Sequence, residues 1–292
     1  MEATSLISRI LNAKNPQEIF SRLHYRKEYH SFVKLIHPDV CADPGSNEAI
    51  TKLNLFKQQL EDQEKIEDDA GVIQVLNERS LRFTGDKTFL EKSLINYNRL
   101  NSLRDTTSQH FKKYLPSEMR MEGDALLLKN ADRIVPLTHL QLSVEHVNWI
   151  TSRILEFVSW LHQMGFSHNG INPESFYILP ENHGIVCVSF YHMSALNESL
   201  ATVSGRYLSW YPPIVLDKKT AIPYTDIITT KRTALYLLGD KSGNGIRLKK
   251  TCNNELIDFL TKPQHDAFTT YDEFRKLLLK LYGKPKFHTL NI

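Results

Sequence analysis

Apolar residues recur at helical spacing through the first sixty residues of the chain, and the pattern predicts three helices. The first is short and ends at the turn-prone segment 12–16. The second runs from Gln17 to Ile36, with its apolar residues on one stripe. The third ends in the acidic segment 61–69, and residues 61–71 are either a linker or a continuation of the helix. The inward-facing residues are, helix by helix, Leu6, Ile7, Ile10 and Leu11; Tyr29, Phe32, Val33 and Ile36; and Ile50, Leu53, Phe56 and Leu60.

The turn between the second and third predicted helices begins at His37. Pro38 ends the second helix there, because a proline disfavours helical geometry in the residue before it, and residues 38–47 are rich in turn formers. A rigid proline beside Asp39 would present an exposed carboxylate as a charge-assisted acceptor. A simple alternative is a helical hairpin with a proline turn and a solvated basic face. The face opposite the apolar stripe of the second helix carries Arg22, Arg26, Lys27, His30 and Lys34.

The pattern changes from about residue 71, where strands and helices are predicted together. Apolar positions indicate a β-hairpin over residues 71–83, and a helix is predicted from Lys87 to Leu103. Two further short strands are indicated at 126–128 and 134–135. Downstream, the pattern predicts a helix from about Trp149 that ends at Gly165, a hairpin over 176–179 and 185–190, and two final helices over 255–260 and 271–282.

The composition is that of an ordinary globular protein, since 41% of the 292 residues are hydrophobic and 24% are charged. No stretch of about 18 apolar residues is present, so we expect neither a membrane span nor a membrane partner. The N-terminal residues lack the pattern of a secretion signal, and three widely spaced cysteines fit a reducing compartment. We therefore expect a cytoplasmic location. The net charge of +3 is too small to indicate nucleic acid as a partner.

Two antiparallel helices joined by a loop that begins His37-Pro38-Asp39 resemble the J-domain of the DnaJ co-chaperone family, over roughly residues 5–68. The resemblance implies that this tripeptide docks on a DnaK-type heat-shock chaperone and stimulates its ATP hydrolysis. His30 and Ser31 stand at positions that are usually basic in the family, and less positive charge would weaken binding to an acidic partner surface. The implied steering face is formed by Arg26, Lys27 and Lys34.

The segment Gly165–Ser175, followed by a short hairpin, resembles the catalytic-loop region of the protein-kinase fold. His168 stands at the family's catalytic-loop histidine, and Pro173-Glu174 match the proline and glutamate that follow it. Phosphoryl transfer depends almost wholly on metal ligands and positioned charge, and here these groups are replaced. The resemblance therefore implies a catalytically inactive domain. The replacements are Gly170 for the general-base aspartate, Asn172 for the lysine, Ser175 for the first metal-binding asparagine and Ser189 for the metal-binding aspartate.

Positions with a structural role in the kinase fold are matched better than the catalytic positions. The resemblance extends from about residue 144 to 287. Asp226 stands at the start of a predicted buried helix, where the family's aspartate holds the catalytic loop through backbone hydrogen bonds. Gly205 and the segment 210–213 resemble the end of the family's activation segment. These positions imply a scaffolding role that does not require catalysis.

Residues 69–137 have the order of a small kinase N-terminal lobe, in which strands, a helix and further strands follow one another. A phosphate-covering loop needs several glycines, and only Gly71 precedes the hairpin. Arg82 is the nearest candidate for the family's lysine and Glu91 for its helix partner. A surface ion pair, or no contact at all, is the favoured alternative.

Other candidate sites lack part of the pattern that their chemistry needs. Three N-terminal histidines do not have the close spacing and added acid of a zinc site. The glycine-rich segment Gly243–Gly245 in the basic loop 241–250 could bind phosphate, but no P-loop pattern is present, and a solvated loop is favoured. The basic C-terminal tail could contact nucleic acid, but a solvated charged segment is the favoured interpretation. These candidates are His24, His30 and His37 for the metal, and Lys284, Lys286 and His288 for the tail.

Together, the patterns predict an α+β protein with a helical J-domain hairpin at residues 1–68, followed by a bilobal protein-kinase-like domain at residues 69–292, divided near residue 137. We expect a co-chaperone or adaptor that recruits a DnaK-type chaperone. Its kinase-like domain is expected to be catalytically inactive, to bind a client or partner protein and to need neither metal nor cofactor. The alternatives are a divergent kinase-fold phosphotransferase or nucleotide-binding protein, and a pure scaffold in which the hairpin is structural only.

Overall fold

The chain divides into two units, Met1–Ile66 and Glu67–Ile292, and the division falls inside a β-strand. The computed structural model describes residues 3–21, 25–63, 65–140, 142–288 and 290. Its secondary structure is mixed α+β, with an N-terminal helical region followed by a body that contains β-sheet. The predicted α+β class is confirmed.

The N-terminal unit consists of three helices that bury their apolar stripes against one another. The helices are α1 (Ala3–Asn12), α2 (Tyr25–Ile36) and α3 (Ser46–Gln63). The predicted inward faces are confirmed, because every predicted residue is either buried in one cluster or packed against it. Polar contacts join the helices as well: Tyr29 Oη donates to Asn54 Oδ1 at 2.6 Å, and Lys52 Nζ donates to Leu11 O at 2.7 Å.

The second helix begins later than the sequence pattern predicts. Instead of a helix from Gln17, the chain forms a single 3₁₀ turn over Pro16–Glu18. The Glu18 carboxylate accepts from the side chain of Asn15 at 2.6 Å, which stabilises this local turn. Ile19 and Phe20 are then buried in the helical core. The predicted residues Arg22 and His24 lie outside the described residues.

In the acidic segment that begins at Glu61, the helix continues only to Gln63 and is followed by a strand. The linker alternative is therefore wrong, and the helix alternative holds for the first three residues only. Residues Lys65–Asp68 form strand β1. Ile66 and Asp68 are buried while Lys65 and Glu67 are exposed, which is the period of two expected for a strand with one covered face. Four residues are too few for this alternation to stand out in the sequence.

A five-stranded antiparallel sheet opens the C-terminal unit, with strand order β1-β2-β3-β5-β4. The predicted hairpin and the helix after it are confirmed. Strand β4 and the one-and-a-half-turn helix α5 are not predicted, because β4 alternates charged residues with methionines and α5 has six residues. The elements are β2 (Gly71–Asn77), β3 (Ser80–Gly85), α4 (Lys87–Asn101), α5 (Thr106–Phe111), β4 (Glu118–Glu122) and β5 (Ala125–Lys129).

Two glycines allow β2 and β3 to approach closely at one end of their hairpin. Gly71 and Gly85 are register partners, with φ angles of 148° and 157°. A Cβ atom on Gly71 would lie 2.1 Å from Thr84 O, and one on Gly85 would lie 1.9 Å from Ala70 O. The backbone at this end leaves no room for a side chain.

The second half of the C-terminal unit is mainly helical. The long helix α6 is buried along most of its length, and Gly165 with φ of 82° follows it, as predicted. Small sheets join β6, β8 and β9, and β7 with β10. The elements are β6 (Val135–Pro136), α6 (Val144–Gln163), β7 (Phe166–Ser167), β8 (Phe176–Leu179), β9 (Gly184–Cys187), β10 (Ser194–Ala195), α7 (Pro213–Lys218), α8 (Pro223–Leu237), α9 (Asn254–Thr261) and α10 (Ala267–Tyr282).

No helix within the described part of the chain has both the length and the apolar character needed to cross a membrane.

We predict that Leu53→Ala destabilises the N-terminal unit by about 2–5 kcal/mol, because the substitution leaves a cavity in a packed core. Leu53 is 0% exposed, whereas Leu55 on the same helix is 54% exposed. Amide hydrogen exchange of α1, α2 and α3 in the full chain measures the effect. Leu55→Ala is the matched control and should leave exchange protection nearly unchanged. Equal losses of protection in the two variants would contradict this assignment of the core.

Candidate functional site

The loop between α2 and α3 forms a tight turn on the surface of the N-terminal unit. The backbone N–H groups of Val40 and Cys41 both donate to His37 O at 2.8 Å, which closes the turn around Pro38. The backbone N–H of Asp39 donates to His37 Nδ1 at 3.3 Å. The Asp39 side chain is 86% exposed, and its Oδ2 lies 3.4 Å from the same ring nitrogen, an ion pair only when that ring is protonated. The carboxylate is therefore open to a partner.

The basic residues of α2 do not all point the same way. Lys27 and Lys34 are exposed, and because they are seven residues apart they project from one face of the helix. Arg26 is half-buried, with its guanidinium 5.0 Å from the centre of the Tyr25 ring. Lys27 and Lys34 thus form the exposed part of the predicted steering face.

Asp226 is the centre of a buried hydrogen-bond network in the C-terminal unit. Its carboxylate accepts from the backbone N–H of His168 at 2.8 Å and of Asn169 at 2.7 Å. It also accepts from Ser167 Oγ at 3.0 Å and lies 2.9 Å from His162 Nε2. Burial alone would raise the pKa of Asp226, but these hydrogen bonds and the neighbouring imidazoles hold it below its ordinary value. The side chain is therefore an ionised anchor for the loop after β7.

His168 is a fully buried, structural imidazole. Its Nε2 lies 2.8 Å from Ser189 O, and its Nδ1 accepts from the backbone N–H of Gly170 at 3.3 Å. This pair of contacts requires the neutral ring with the proton on Nε2. Burial lowers the pKa of His168, which outweighs the opposing effect of the Asp226 charge. The ring links the loop at 168–170 to the segment that begins at Ser189.

Gly170 has no room for the carboxylate that a general base would need. A Cβ atom at this position would lie 2.0 Å from Cδ2 of His192. The His192 ring is itself only 2% exposed, and burial lowers its pKa to about 3. It is therefore neutral and shielded from solvent.

Asn172 and Ser175 stabilise the turn between them rather than facing solvent. Asn172 Oδ1 accepts from the backbone N–H of Glu174 at 3.0 Å and of Ser175 at 2.9 Å. The Ser175 hydroxyl lies 2.8 Å from both Asn172 Oδ1 and Gly170 O. Both side chains are almost fully buried. Their oxygens are engaged within the loop and are not presented as metal ligands.

The segment at Ser189 is held by helix α4. The backbone N–H of Phe190 donates to Ser93 Oγ at 3.1 Å, and Asn96 Nδ2 donates to Phe190 O at 2.9 Å. Ser189 is 1% exposed, and its carbonyl oxygen accepts from Cys187 Sγ at 3.3 Å. Ser189, which stands where the resemblance would place a metal-binding aspartate, is thus buried and carries no carboxylate.

The turn between β1 and β2 places a buried carboxyl group against the segment after Ser189. Tyr191 Oη donates to Asp68 Oδ1 at 2.5 Å, and the backbone N–H of Ala70 donates to the same oxygen at 2.9 Å. Burial raises the pKa of Asp68 from 3.8 to about 6, although both hydrogen bonds oppose the change. Asp68 therefore titrates in mildly acidic solution.

Two neighbouring acids extend this contact. Asp69 accepts from Ser204 Oγ and from the backbone N–H of Arg206, the second at 3.0 Å. Glu67 Oε2 lies 2.9 Å from Arg206 Nη1. We call Glu67, Asp68 and Asp69 the acidic turn. Its three side chains all bond to residues 191–206 of the same unit.

Two weaker candidates do not form binding sites. Arg82 and Glu91 are both exposed, and among the described ion pairs none joins them. In the loop around Gly243, the Asp240 carboxylate accepts from the backbone N–H groups of Ser242 at 3.0 Å and Gly245 at 2.8 Å. Those N–H groups are therefore engaged within the loop rather than directed at a phosphate.

Sequence reasoning missed several residues that determine the chemistry of this region. His192 carries no local signal, because its contact with Gly170 exists only in the folded chain. The acidic turn is visible as Glu67-Asp68-Asp69, but its position depends on the unpredicted strand β1. The contacts of Tyr191 and Arg206 with this turn were not predicted. The sequence did contain one signal for the turn, which is the pair Asp68-Asp69 close before Gly71.

Comparison with known proteins gives no family for the chain, since no protein-family model matches it and no curated protein matches it significantly. Within the described residues, no group of three or more histidine, cysteine or acidic side chains is arranged to hold a metal ion.

We predict that Asp68→Asn removes a pH dependence from the stability of the C-terminal unit. Between pH 3.8 and about 6 the folded protein keeps a proton that the unfolded chain has lost, so wild-type stability falls as pH rises through this window. A shift of about two pKa units corresponds to about 3 kcal/mol. The variant should therefore gain up to about 3 kcal/mol relative to wild type between pH 4 and 7.

Urea unfolding followed by tryptophan fluorescence measures this difference, because Trp149, Trp160 and Trp210 all lie in the C-terminal unit. Asp124→Asn is the control, since that side chain is 88% exposed, and its profile should run parallel to wild type. A constant difference between Asp68→Asn and wild type at every pH would contradict the prediction.

We predict that Gly170→Ala lowers the unfolding free energy of the C-terminal unit by about 1–3 kcal/mol, because the added Cβ overlaps the His192 ring. In a His192→Gly background the same substitution should cost much less, since the overlapping ring is gone. The four variants of this double-mutant cycle are compared by urea unfolding. Gly205→Ala is the control, because a Cβ there would meet its nearest atom at an ordinary 3.5 Å. Equal costs in both backgrounds would refute the steric account.

Proposed function

We propose that the protein is a J-domain co-chaperone or adaptor that recruits a DnaK-type heat-shock chaperone through His37-Pro38-Asp39. The observation that carries this proposal is the exposed Asp39 carboxylate at a closed turn between two antiparallel helices. Lys27 and Lys34 on the preceding helix would steer an acidic partner surface toward that turn. Arg26 would contribute less, because its guanidinium lies against Tyr25.

In this proposal the C-terminal unit is a bilobal kinase-like domain that has lost catalysis. The five-stranded sheet with α4 would be the N-terminal lobe, and α6 with α8 to α10 the C-terminal lobe. The hydrogen bonds from the loop at 168–169 to Asp226 support this assignment, because they match the scaffolding role that the resemblance implies. Loss of catalysis is supported by the crowding at Gly170 and by the buried Ser189.

The acidic turn argues against nucleotide binding in such a domain. The β1–β2 turn is where a kinase-like lobe would cover the phosphates with glycine-rich backbone. Here that turn carries three acidic side chains and is bonded to residues 191–206. Negative charge next to a phosphate is unfavourable, so the unit would bind a client or partner protein instead. A cytoplasmic location is part of the proposal and fits the three unpaired cysteines.

We predict that the purified protein raises the ATPase rate of a DnaK-type chaperone and that Asp39→Asn reduces this stimulation about tenfold or more. A hydrogen bond to a charged group contributes about 1.5–3 kcal/mol. The backbone contact of Asp39 does not involve its carboxylate, and in the described turn that carboxylate lies 3.4 Å from His37 Nδ1. Single-turnover ATP hydrolysis by the chaperone, with the co-chaperone in excess, is the measurement.

The matched control is Glu48→Gln, which also removes one exposed carboxylate from the N-terminal unit and should stimulate like wild type. If wild type fails to stimulate, or if Asp39→Asn equals wild type, the co-chaperone proposal is wrong. A thermal shift with ATP and magnesium tests the alternative of a nucleotide-binding or phosphotransferase domain. A clear metal-dependent rise in Tm would favour that alternative over an inactive domain.

A further inference from the structure

A cavity in the C-terminal unit lies away from the loop at 168–175 and from the acidic turn. It is bounded by the 3₁₀ turn Lys112–Tyr114, by α6 and by the β8–β9 turn, and its volume is about 400 Å³. None of its lining residues belongs to the loop or to the acidic turn. This volume is within the range of small-ligand sites, which is about 300–1,000 Å³.

The lining of this cavity is rich in cations. Lys112, Lys113 and Arg153 line it, and Asp132 is the only carboxylate among its lining residues, all of which are described. Lys112 is half-buried, and no ion pair of Lys112 occurs in the described part of the chain. If Glu156, which lies behind the cavity wall, is counted with Asp132, there are three cationic side chains and two carboxylates. The protein therefore leaves positive charge unbalanced at a partly enclosed site.

The guanidinium of Arg153 is held in place by groups behind the cavity wall. Glu156 Oε2 accepts from Arg153 Nη1 at 2.9 Å and from Tyr114 Oη at 2.6 Å. Lys113 is farther away, 3.9 Å from Glu156 Oε1, and its ammonium lies 2.9 Å from His110 Nε2. Burial lowers the pKa of Lys113, and the nearby Arg153 charge adds to this effect against the pull of Glu156. A bound anion would relieve this crowding of cations.

The remaining lining suits a ligand with a polar organic part. Asn101, Asn130 and Asn182 contribute amide groups, and the exposed Ala131 contributes a methyl group. Asn182 also donates to the Asp132 carboxylate at 3.1 Å, which holds that acid in place. A fixed guanidinium with two lysines is the donor set that phosphate oxygens match best.

We propose that this cavity binds a small phosphate monoester, with the phosphate on Lys112, Lys113 and Arg153 and a polar organic part against the asparagine side chains. The excess of one positive charge attracts an anion, and a phosphate offers more acceptor oxygens to these N–H donors than a single carboxylate does. The site is formed within the C-terminal unit and does not depend on the proposed chaperone recruitment.

The test is titration with glycerol 3-phosphate and O-phosphoserine, followed by calorimetry and by ³¹P line broadening. We expect saturable one-to-one binding of at least one probe, and no binding of glycerol or serine. Lys112→Gln with Lys113→Gln should weaken this binding about tenfold or more, which corresponds to about 1.4 kcal/mol. The control is Lys249→Gln with Lys250→Gln, which removes the same charge from another surface turn and should bind like wild type.

Tryptophan fluorescence first confirms that each variant is folded. If the double variant is unfolded, Lys112→Gln alone provides the comparison, because Lys112 makes no ion pair with any other described residue. The proposal is overturned if neither phosphate binds below about 10 mM, or if the control variant weakens binding as much as the cavity variant does. Either result leaves the chaperone ATPase test unaffected, so the two proposals fail separately.

Discussion

The arrangement of the C-terminal unit depends on one ionised, fully buried carboxylate, that of Asp226. A buried charge is tolerated only when its oxygens are well satisfied, and here they receive two backbone N–H groups, a hydroxyl and an imidazole. The donors come from the end of α6, from β7 and from the loop after it, while the acceptor lies on α8. The loop at 168–169 therefore cannot leave its position without exposing an unpaired buried charge.

This constraint explains how the loop keeps a defined geometry. Its own polar side chains are satisfied internally, as Asn172 and Ser175 show. The space beside Gly170 is filled by a neutral, buried imidazole. The acidic turn adds further contacts to the segment after Ser189. Polar groups that an active site would present to a ligand are used here for packing and hydrogen bonding.

Much of the fold could be predicted from the sequence, because a long apolar stripe leaves few alternatives for which face of a helix is buried. The stripes of α1, α3 and α6 place their buried residues correctly, and Gly165 marks a helix end through its positive φ. The predicted start of α2 at Gln17 was wrong, because the burial of Ile19 and Phe20 in the core overrides the helical pattern there. Strand β1 was missed because four residues carry too little periodicity. The backbone contacts of Asp226 were implied by the resemblance to the kinase fold, whereas the His192 contact with Gly170 joins residues with no shared local pattern.

In the proposed adaptor, the aspartates at positions 39 and 226 would have different roles. Asp226 holds the loop at 168–169 only because it is buried and fully hydrogen-bonded, so its role is structural. Asp39 is useful to a partner only when its carboxylate stays open, and a short turn stabilised by backbone hydrogen bonds is enough to achieve this. A docking turn needs exposure and local order, whereas phosphoryl transfer needs several charged groups facing one cleft. Asp39 meets the first requirement, since its side chain is 86% exposed. The side chains at the four positions that resemble catalytic ones are absent or engaged within the fold, as Gly170 and Ser175 show. The proposed adaptor role depends only on the first requirement.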